Sequence, residues 1–128
     1  MRLFILTRKA FTAALLALGI ALPAQALPTA RVTRIVDGDT VVLNGYERLR
    51  IACIDTPERG EYGFDAATRK TRQLVGGKTV SVRRITTDRY GRTVGEVIVN
   101  GTNLGQELVR TGHARTYWRY AWQCSWTR

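Results

Sequence analysis

The pair Asn44 and Gly45 constrains the fold more than any other feature, because it separates two short segments that each read as a strand. Both residues accept positive φ, which a type I′ turn requires at its two central positions. A two-residue turn here would place Asp39 directly opposite Arg50 on the neighbouring strand. The sequence therefore predicts an antiparallel hairpin that brings a carboxylate and a guanidinium together.

The chain from residue 27 onward alternates between short apolar segments and turn residues. A period of two predicts strands, and apolar spacing of three to four residues predicts helices. The predicted strands cover residues 30–36, 40–43, 47–54, 78–85 and 93–99, and the predicted helices cover 64–75 and 104–111. This element order is that of an oligonucleotide-binding (OB-fold) barrel. We therefore expect a mainly β fold of the α+β class, a five-stranded OB-fold barrel with short helices, as one domain over residues 27–128.

The first 26 residues have the three-part layout of a secretory signal peptide. Residues 1–9 carry basic side chains and no acid, residues 10–23 are mostly apolar, and Ala24-Gln25-Ala26 matches a small-x-small cleavage site. A membrane anchor fits less well, because the apolar run is shorter than the ~20 residues of a typical span. We expect cleavage near Ala26 and export to the periplasm or beyond.

Charge and the few metal-binding side chains narrow the classes of function. The 20 lysines and arginines outnumber the 10 aspartates and glutamates, which favours an anionic partner such as nucleic acid, an acidic polysaccharide or a membrane surface. Two cysteines and one histidine exclude a zinc site built from thiolates or several imidazoles. That histidine, His113, falls at the predicted end of the second helix. No basic amphipathic helix of useful length follows the leader, so we expect no stable membrane association. We also expect a monomer.

Three clusters of polar residues lie at strand ends and in the connecting loops, at residues 37–40, 50–58 and 87–92. Their carboxylates are hard oxygen ligands that suit Ca²⁺ or Mg²⁺. The first cluster is not an EF-hand, because Val42 and Arg48 occupy the positions that need Gly and Glu. Each cluster alone is also explained as a turn or a helix start. Asp55 would lie roughly 16 Å beyond Arg50 on a straight strand, so it meets Asp39 only if the chain curls back.

Taken in order, DGDT, R-I-x-x-I-DTPE and D-R-Y-G-R resemble the thermonuclease (staphylococcal nuclease-like) family. The resemblance covers about residues 30–114. It implies a five-stranded OB-fold barrel and a Ca²⁺-dependent endonuclease that hydrolyses phosphodiester bonds of DNA and RNA and leaves 3′-phosphate ends. A non-catalytic nucleic-acid-binding OB-fold module is the alternative, and it explains the charge and fold but not the full set of clustered polar residues.

The resemblance also implies roles for individual residues. Asp39 and Asp55 would bind the Ca²⁺ through their carboxylates, and Thr56 would bind it through its carbonyl oxygen. Glu58 would orient or deprotonate the attacking water, a role that needs a general base within reach of that water.

Two arginines and a tyrosine complete the site that the resemblance implies. Arg50 and Arg92 would hold the phosphate and stabilise transition-state charge, for which the planar, permanently charged guanidinium is suited. Tyr90 would lie near the nucleotide.

The C-terminal segment leaves alternatives open. Trp118, Trp122 and Trp126 recur every four residues and form one stripe if the segment is helical. They serve either as a lid that packs on the barrel in place of the longer C-terminal helix of the family, which we favour, or as a stacking platform for bases. An exported protein can link Cys53 to Cys124. We favour a buried core thiol at Cys53, because its position on the predicted third strand has the same parity as Ile51.

Overall fold

The computed structural model describes residues 26–128. Nearly all of the predicted signal peptide therefore lies outside the described residues. Within residues 26–128, no helix is long and apolar enough to span a membrane.

The described chain consists of short strands, two α-helices and two 3₁₀ segments. The strands are β1 (Thr29–Asp37), β2 (Thr40–Leu43), β3 (Glu47–Ile51), β4 (Ile54–Asp55), β5 (Thr79–Thr87), β6 (Thr93–Val99), β7 (Thr102–Asn103) and β8 (Arg115–Thr116). The α-helices are α1 (Phe64–Val75) and α2 (Leu104–Arg110), and the 3₁₀ segments are Trp118–Gln123 and Ser125–Thr127. Both predicted helices are confirmed to within one residue.

Five strands close into a mixed barrel. Neighbouring strands follow the order β3-β2-β1-β5-β6, and β3 then pairs in parallel with β6 from Leu49 opposite Thr93 to Ile51 opposite Gly95. That last pairing closes the sheet on itself, so the interior fills with side chains. The fully buried aliphatic residues of the interior include Val32, Val41, Leu43, Leu49, Ile51, Val80, Val82 and Val97. The predicted OB-fold barrel is confirmed.

The β2–β3 hairpin forms, but its predicted register is wrong by one residue. Arg50 lies opposite Thr40 rather than Asp39. The turn contains three residues, because Tyr46 joins Asn44 and Gly45 and its N–H donates to the carbonyl of Leu43 at 3.1 Å. Asn44 and Gly45 do adopt positive φ, at 52° and 80°, as the turn prediction required.

The predicted third strand, 47–54, breaks at Ala52 and Cys53. Cys53 has a φ of 70°, in the left-handed region, and this bend separates β3 from β4. Strand β4 leaves the barrel and pairs antiparallel with β8, with Ile54 opposite Thr116. The bend provides the curl that Asp55 needs to approach Asp39.

The tail, residues 115–128, packs on the barrel without forming an α-helix. A disulfide joins Cys53 to Cys124, so the free core-thiol interpretation is wrong. The Arg83 guanidinium donates to the Gln123 carbonyl at 2.6 Å. The three tryptophans do not form one stripe, because Trp126 is half-buried whereas Trp118 and Trp122 are exposed. Only part of the tail therefore acts as the predicted packing element.

Candidate active site

One guanidinium nitrogen lies beside two carboxylates at the end of the hairpin. Nη2 of Arg50 is 3.6 Å from Oδ2 of Asp39 and 3.9 Å from Oδ1 of Asp55. The Arg50 side chain is 16% exposed, whereas that of Asp55 is 39% exposed and open to solvent. Nη1 of Arg50 donates to the Ile51 carbonyl at 2.6 Å, which fixes the direction of the Arg50 side chain. The structure thus brings together three predicted site residues from two different strands and a turn.

Hydroxyl groups on both sides hold the Asp39 carboxylate. Thr40 donates to Oδ1 at 2.9 Å, and Thr56 donates to Oδ2 at 3.1 Å. The Thr56 contact joins the first and second polar clusters, which are 17 residues apart. Because each carboxylate oxygen has two lone pairs, both oxygens of Asp39 retain capacity for a further ligand.

The turn before Asp39 is fixed against helix α1. A Cβ on Gly38 would lie 2.8 Å from the Cβ of Ala67, closer than the two atoms can pack, so this position requires glycine. The Gly38 carbonyl accepts a hydrogen bond of 2.7 Å from the hydroxyl of Thr71. Helix α1 therefore fixes the backbone position of Gly38 and, with it, that of the neighbouring Asp39.

Asp37, the other acid of this turn, has a raised pKa. Burial, followed by the interaction with the neighbouring Asp39 side chain, raises the pKa of Asp37 to about 6. Its Oδ1 accepts a hydrogen bond from the Asp39 amide at 3.2 Å. Asp37 therefore shapes the turn and is harder to ionise than a free aspartate.

Arg92 reaches the site from the loop between β5 and β6. Its Nη1 lies 3.4 Å from the Thr40 hydroxyl, which itself donates to Asp39. Its Nε donates to Oδ2 of Asp88 at 2.7 Å, and its backbone N–H donates to Oδ1 of the same carboxylate. Burial opposes ionisation of Asp88, but these hydrogen bonds outweigh it and hold the pKa of Asp88 below its ordinary value. Asp88 thus holds the Arg92 side chain in an orientation that brings its guanidinium to the turn containing Asp39.

Tyr90 stands out from the same loop. Its ring is exposed, and two guanidinium groups lie near it, that of Arg89 at 5.0 Å and that of Arg92 at 5.5 Å from the ring centroid. Arg89 also donates to the Tyr90 hydroxyl at 2.9 Å. These contacts hold an aromatic face and two positive charges together at the rim of the site.

Glu58 lies three residues beyond Asp55 and faces solvent. Its backbone N–H donates to the Glu61 side chain at 2.6 Å, which folds residues 58–61 into a tight turn. Within residues 26–128 its carboxylate makes no ion pair. Glu58 therefore differs from the two aspartates, since its oxygens have no charged partner in the described chain.

A cavity of about 590 Å³ opens beside these residues. The strand β3 end, the β5–β6 loop and the tail each form one wall. The lining residues include Arg50 at the end of β3 and Arg92 from the β5–β6 loop. From the tail, they include Tyr117, Arg119, Tyr120 and Gln123. A ligand in this cavity would contact the arginines of the site and the tail at once.

The oxygen donors fit a hard divalent cation better than a transition metal. Residues 26–128 contain no group of three or more His, Cys, Asp or Glu side chains placed to hold a metal. The carboxylates of Asp39 and Asp55 lie 3.6 Å and 3.9 Å from the same guanidinium nitrogen of Arg50. A cation bound there would take its other ligands from carbonyl, water or substrate oxygens, which Ca²⁺ accepts readily.

Thr40, Asp88 and the tail residues at the cavity have no role predicted from the sequence. Asp88 belongs to the third polar cluster, residues 87–92. The spacing of Asp88 and Gly91 is typical of a turn in which the Asp side chain accepts a backbone hydrogen bond, here from Tyr90. Tyr117 and Arg119 gave no such signal, because long-range pairing of β8 with β4 brings them to the site. His113 lies just after α2 and hydrogen-bonds Thr111, as expected for a helix-end residue.

This chain is similar in sequence to known proteins. The sequence model of the family described as Staphylococcal nuclease homologue matches residues 48–125. The chain is 40% identical over 94 residues to an uncharacterized endonuclease of Escherichia coli O157:H7, which covers 70% of this chain and 61% of that protein. It is 35% identical over 120 residues to a micrococcal nuclease of Shigella flexneri, which covers 84% and 69%. The chain thus spans less than two thirds of the first of these relatives.

Proposed function

The chain belongs to the staphylococcal nuclease family, and from that premise we propose that it is an exported, Ca²⁺-dependent endonuclease. It hydrolyses phosphodiester bonds of DNA and RNA and leaves 3′-phosphate ends. The observation that carries the proposal is that the Arg50 guanidinium lies against both Asp39 and Asp55. Arg92 is linked to the Asp39 carboxylate through the Thr40 hydroxyl.

The proposed metal ligands are the carboxylates of Asp39 and Asp55 and the carbonyl oxygen of Thr56. Bound Ca²⁺ would polarise the phosphoryl group and stabilise the negative charge that develops on its oxygens. Among the protein's own groups, Thr40 and Thr56 keep the Asp39 carboxylate in a fixed direction.

The two arginines bind the phosphate in this proposal. Arg50 is held by the Ile51 carbonyl and Arg92 by Asp88, so neither guanidinium must be ordered when the substrate binds. Preorganised donors of this kind stabilise the transition state at low reorganisation cost. Tyr90, at the rim, contacts the nucleotide.

Glu58 is the proposed general base. Its carboxylate is exposed and carries no ion pair within the described chain, so it is available to accept a proton from the attacking water. Asp39 and Asp55 both lie against Arg50 and are the proposed metal ligands, so their carboxylates are already assigned another role.

The disulfide supports the proposed export. Bonds such as Cys53–Cys124 persist in oxidising compartments and are rare in the cytosol. The leader-like first 26 residues point to the same destination.

Cleavage of single-stranded DNA by the purified protein tests the proposal. We expect cleavage with added Ca²⁺ and none with excess chelator. A Glu58→Gln variant keeps the size of the side chain but removes the base, so its rate falls by about 10²- to 10⁴-fold. Glu107→Gln is the matched control, because Glu107 pairs with Arg110 on the surface of α2 and lies outside the site.

Two results would contradict the proposal. Glu58→Gln that cleaves as fast as Glu107→Gln would remove Glu58 from the mechanism. Absence of cleavage by a folded protein that still binds DNA in a salt-sensitive way would instead select the non-catalytic binding module.

A further inference from the structure

The tail is fixed to the barrel close to the candidate active site. The disulfide ties Cys124 to Cys53, and the N–H of Tyr117 donates to the Cys53 carbonyl at 2.8 Å. Further along, the indole N–H of Trp126 donates to the buried carboxylate of Glu96 at 3.1 Å. These contacts hold both ends of the segment between residues 117 and 126.

Between those anchors, the tail exposes large aromatic side chains. Trp118 is 74% exposed and Trp122 is 67% exposed, although they flank the buried Ala121. Exposure of large apolar indole rings to water is unfavourable, and on an anchored segment it is typical of a binding surface. At the ~2 Å rise and about 3 residues per turn of a 3₁₀ segment, the two tryptophans are about 8 Å apart along its axis and about 120° apart around it. A flexible strand that follows the outer surface of the segment can contact both.

The charge and position of this surface indicate the ligand. Residues 114–128 contain Arg115, Arg119 and Arg128 and no acidic residue, which favours a polyanion. Arg119 also lines the 590 Å³ cavity that contains Arg50 of the site. A polyanion bound at the arginines of the site would therefore meet the tail next.

We infer that Trp118, Arg119 and Trp122 form a second binding site, the tryptophan ledge, for an unpaired nucleic-acid strand. The indoles stack on bases, and Arg119 contacts the phosphate between the ledge and the cavity. A duplex keeps its bases stacked on one another, so the ledge selects single-stranded segments. The path of the strand, from the arginines of the site to the ledge, rests on the proposed function. The stacking contacts on the ledge are testable without cleavage.

The test measures binding of a fluorescein-labelled 12-nucleotide DNA by anisotropy, with the oxidised protein in excess chelator. We expect the Trp118→Ala/Trp122→Ala double variant to bind the unpaired strand at least tenfold more weakly, since one stack is worth roughly tenfold in affinity. The Trp118→Phe/Trp122→Phe variant, which keeps an aromatic face, recovers most of the affinity. The same DNA as a duplex loses less than twofold.

Tyr46→Ala is the matched control. Tyr46 is also strongly exposed, but it lies on the turn of the β2–β3 hairpin. Its loss leaves the affinity unchanged if the ledge is specific. Unchanged binding by the alanine double variant, equal losses for duplex and unpaired DNA, failure of phenylalanine to restore binding, or no binding by the unmodified protein would each overturn the inference. A protein that binds through the ledge but never cleaves supports the ledge and contradicts only the proposed function.

Discussion

The hairpin and the tail both reach the candidate site, but different contacts hold them there. The hairpin pairs residues close in sequence, from Thr40 opposite Arg50 to Leu43 opposite Glu47. The tail depends on a disulfide between residues that are 71 positions apart and on the pairing of β8 with β4. Asp39 and Arg50 therefore lie on locally determined backbone. Asp55, through the pairing of β4 with β8, and the tail residues assigned to strand binding lie on backbone that long-range contacts position.

The comparison implies that the two regions respond separately to perturbation. Loss of the tail contacts would remove one wall of the cavity and leave the N–H of Ile51 donating to the Asp39 carbonyl at the base of the hairpin. Loss of a charge at Arg50 would change the site and leave the tail in place.

The largest expected effect is that of the disulfide on stability. Reduction of Cys53–Cys124 lowers the free energy of unfolding by up to ~4 kcal/mol, because the bond closes a long loop in the unfolded chain. Chemical denaturation with and without dithiothreitol measures the loss, and a Cys53→Ala/Cys124→Ala variant shows no further change on addition of the reductant.

Hydrogen exchange sharpens the same experiment. On reduction, the amides of Tyr117 and Cys124 exchange faster, whereas the amide of Ile51 keeps its protection. Equal deprotection of all three amides would show that the hairpin and the tail are one cooperative unit.

The next effect is catalytic. Arg50→Lys keeps the positive charge but loses the planar fork that contacts Asp39, Asp55 and the Ile51 carbonyl. We expect kcat on single-stranded DNA to fall by about 10²- to 10³-fold, as on loss of one preorganised transition-state donor. A Lys variant with unchanged kcat would separate the Arg50 cluster from the chemistry, and Arg48→Lys on the same strand serves as control.

The smallest effect is on the barrel beside the hairpin. Two hydrogen bonds from Arg84 outweigh burial and, with one from Thr93, hold the pKa of Glu47 below its ordinary value. The stabilisation from ionised Glu47 is present above its unfolded pKa and is lost as pH falls through the lower folded pKa.

Glu47→Gln is therefore expected to cost about 1 kcal/mol of unfolding free energy at pH 7. Denaturation at a series of pH values should show this deficit shrink below pH 4.5, the ordinary pKa of glutamate. A deficit that does not change between pH 7 and pH 3 would indicate lost packing rather than lost charge.

Local patterns predicted most of the hairpin region. Turn residues and alternation gave β2, β3 and the neighbourhood of Asp39 and Arg50, because these depend on nearby backbone geometry. The register was off by one, since Tyr46 enters the turn through a hydrogen bond to Leu43 that the sequence pattern does not encode. A one-residue change in turn length shifts every cross-strand pair.

Local patterns failed at the tail and at the bend that leads to it. The apolar stripe is compatible with an α-helix, but the disulfide and the Trp126–Glu96 hydrogen bond hold the segment in 3₁₀ turns. The left-handed conformation of Cys53 likewise depends on its distant partners. Such contacts join residues far apart in sequence, so residue spacing carries no signal for them.

A double-mutant cycle on Ca²⁺-dependent cleavage of a 20-nucleotide single strand tests the division of roles most directly. It compares the unmodified protein, Arg50→Lys, Trp118→Ala/Trp122→Ala and the combination of all three changes. If Arg50 of the hairpin acts in the chemistry and the tail binds the strand, the fold-losses in kcat/KM multiply. The corresponding activation free energies then add to within about 0.5 kcal/mol. A combined variant no slower than Arg50→Lys alone would contradict the account, because it would place both regions in one function.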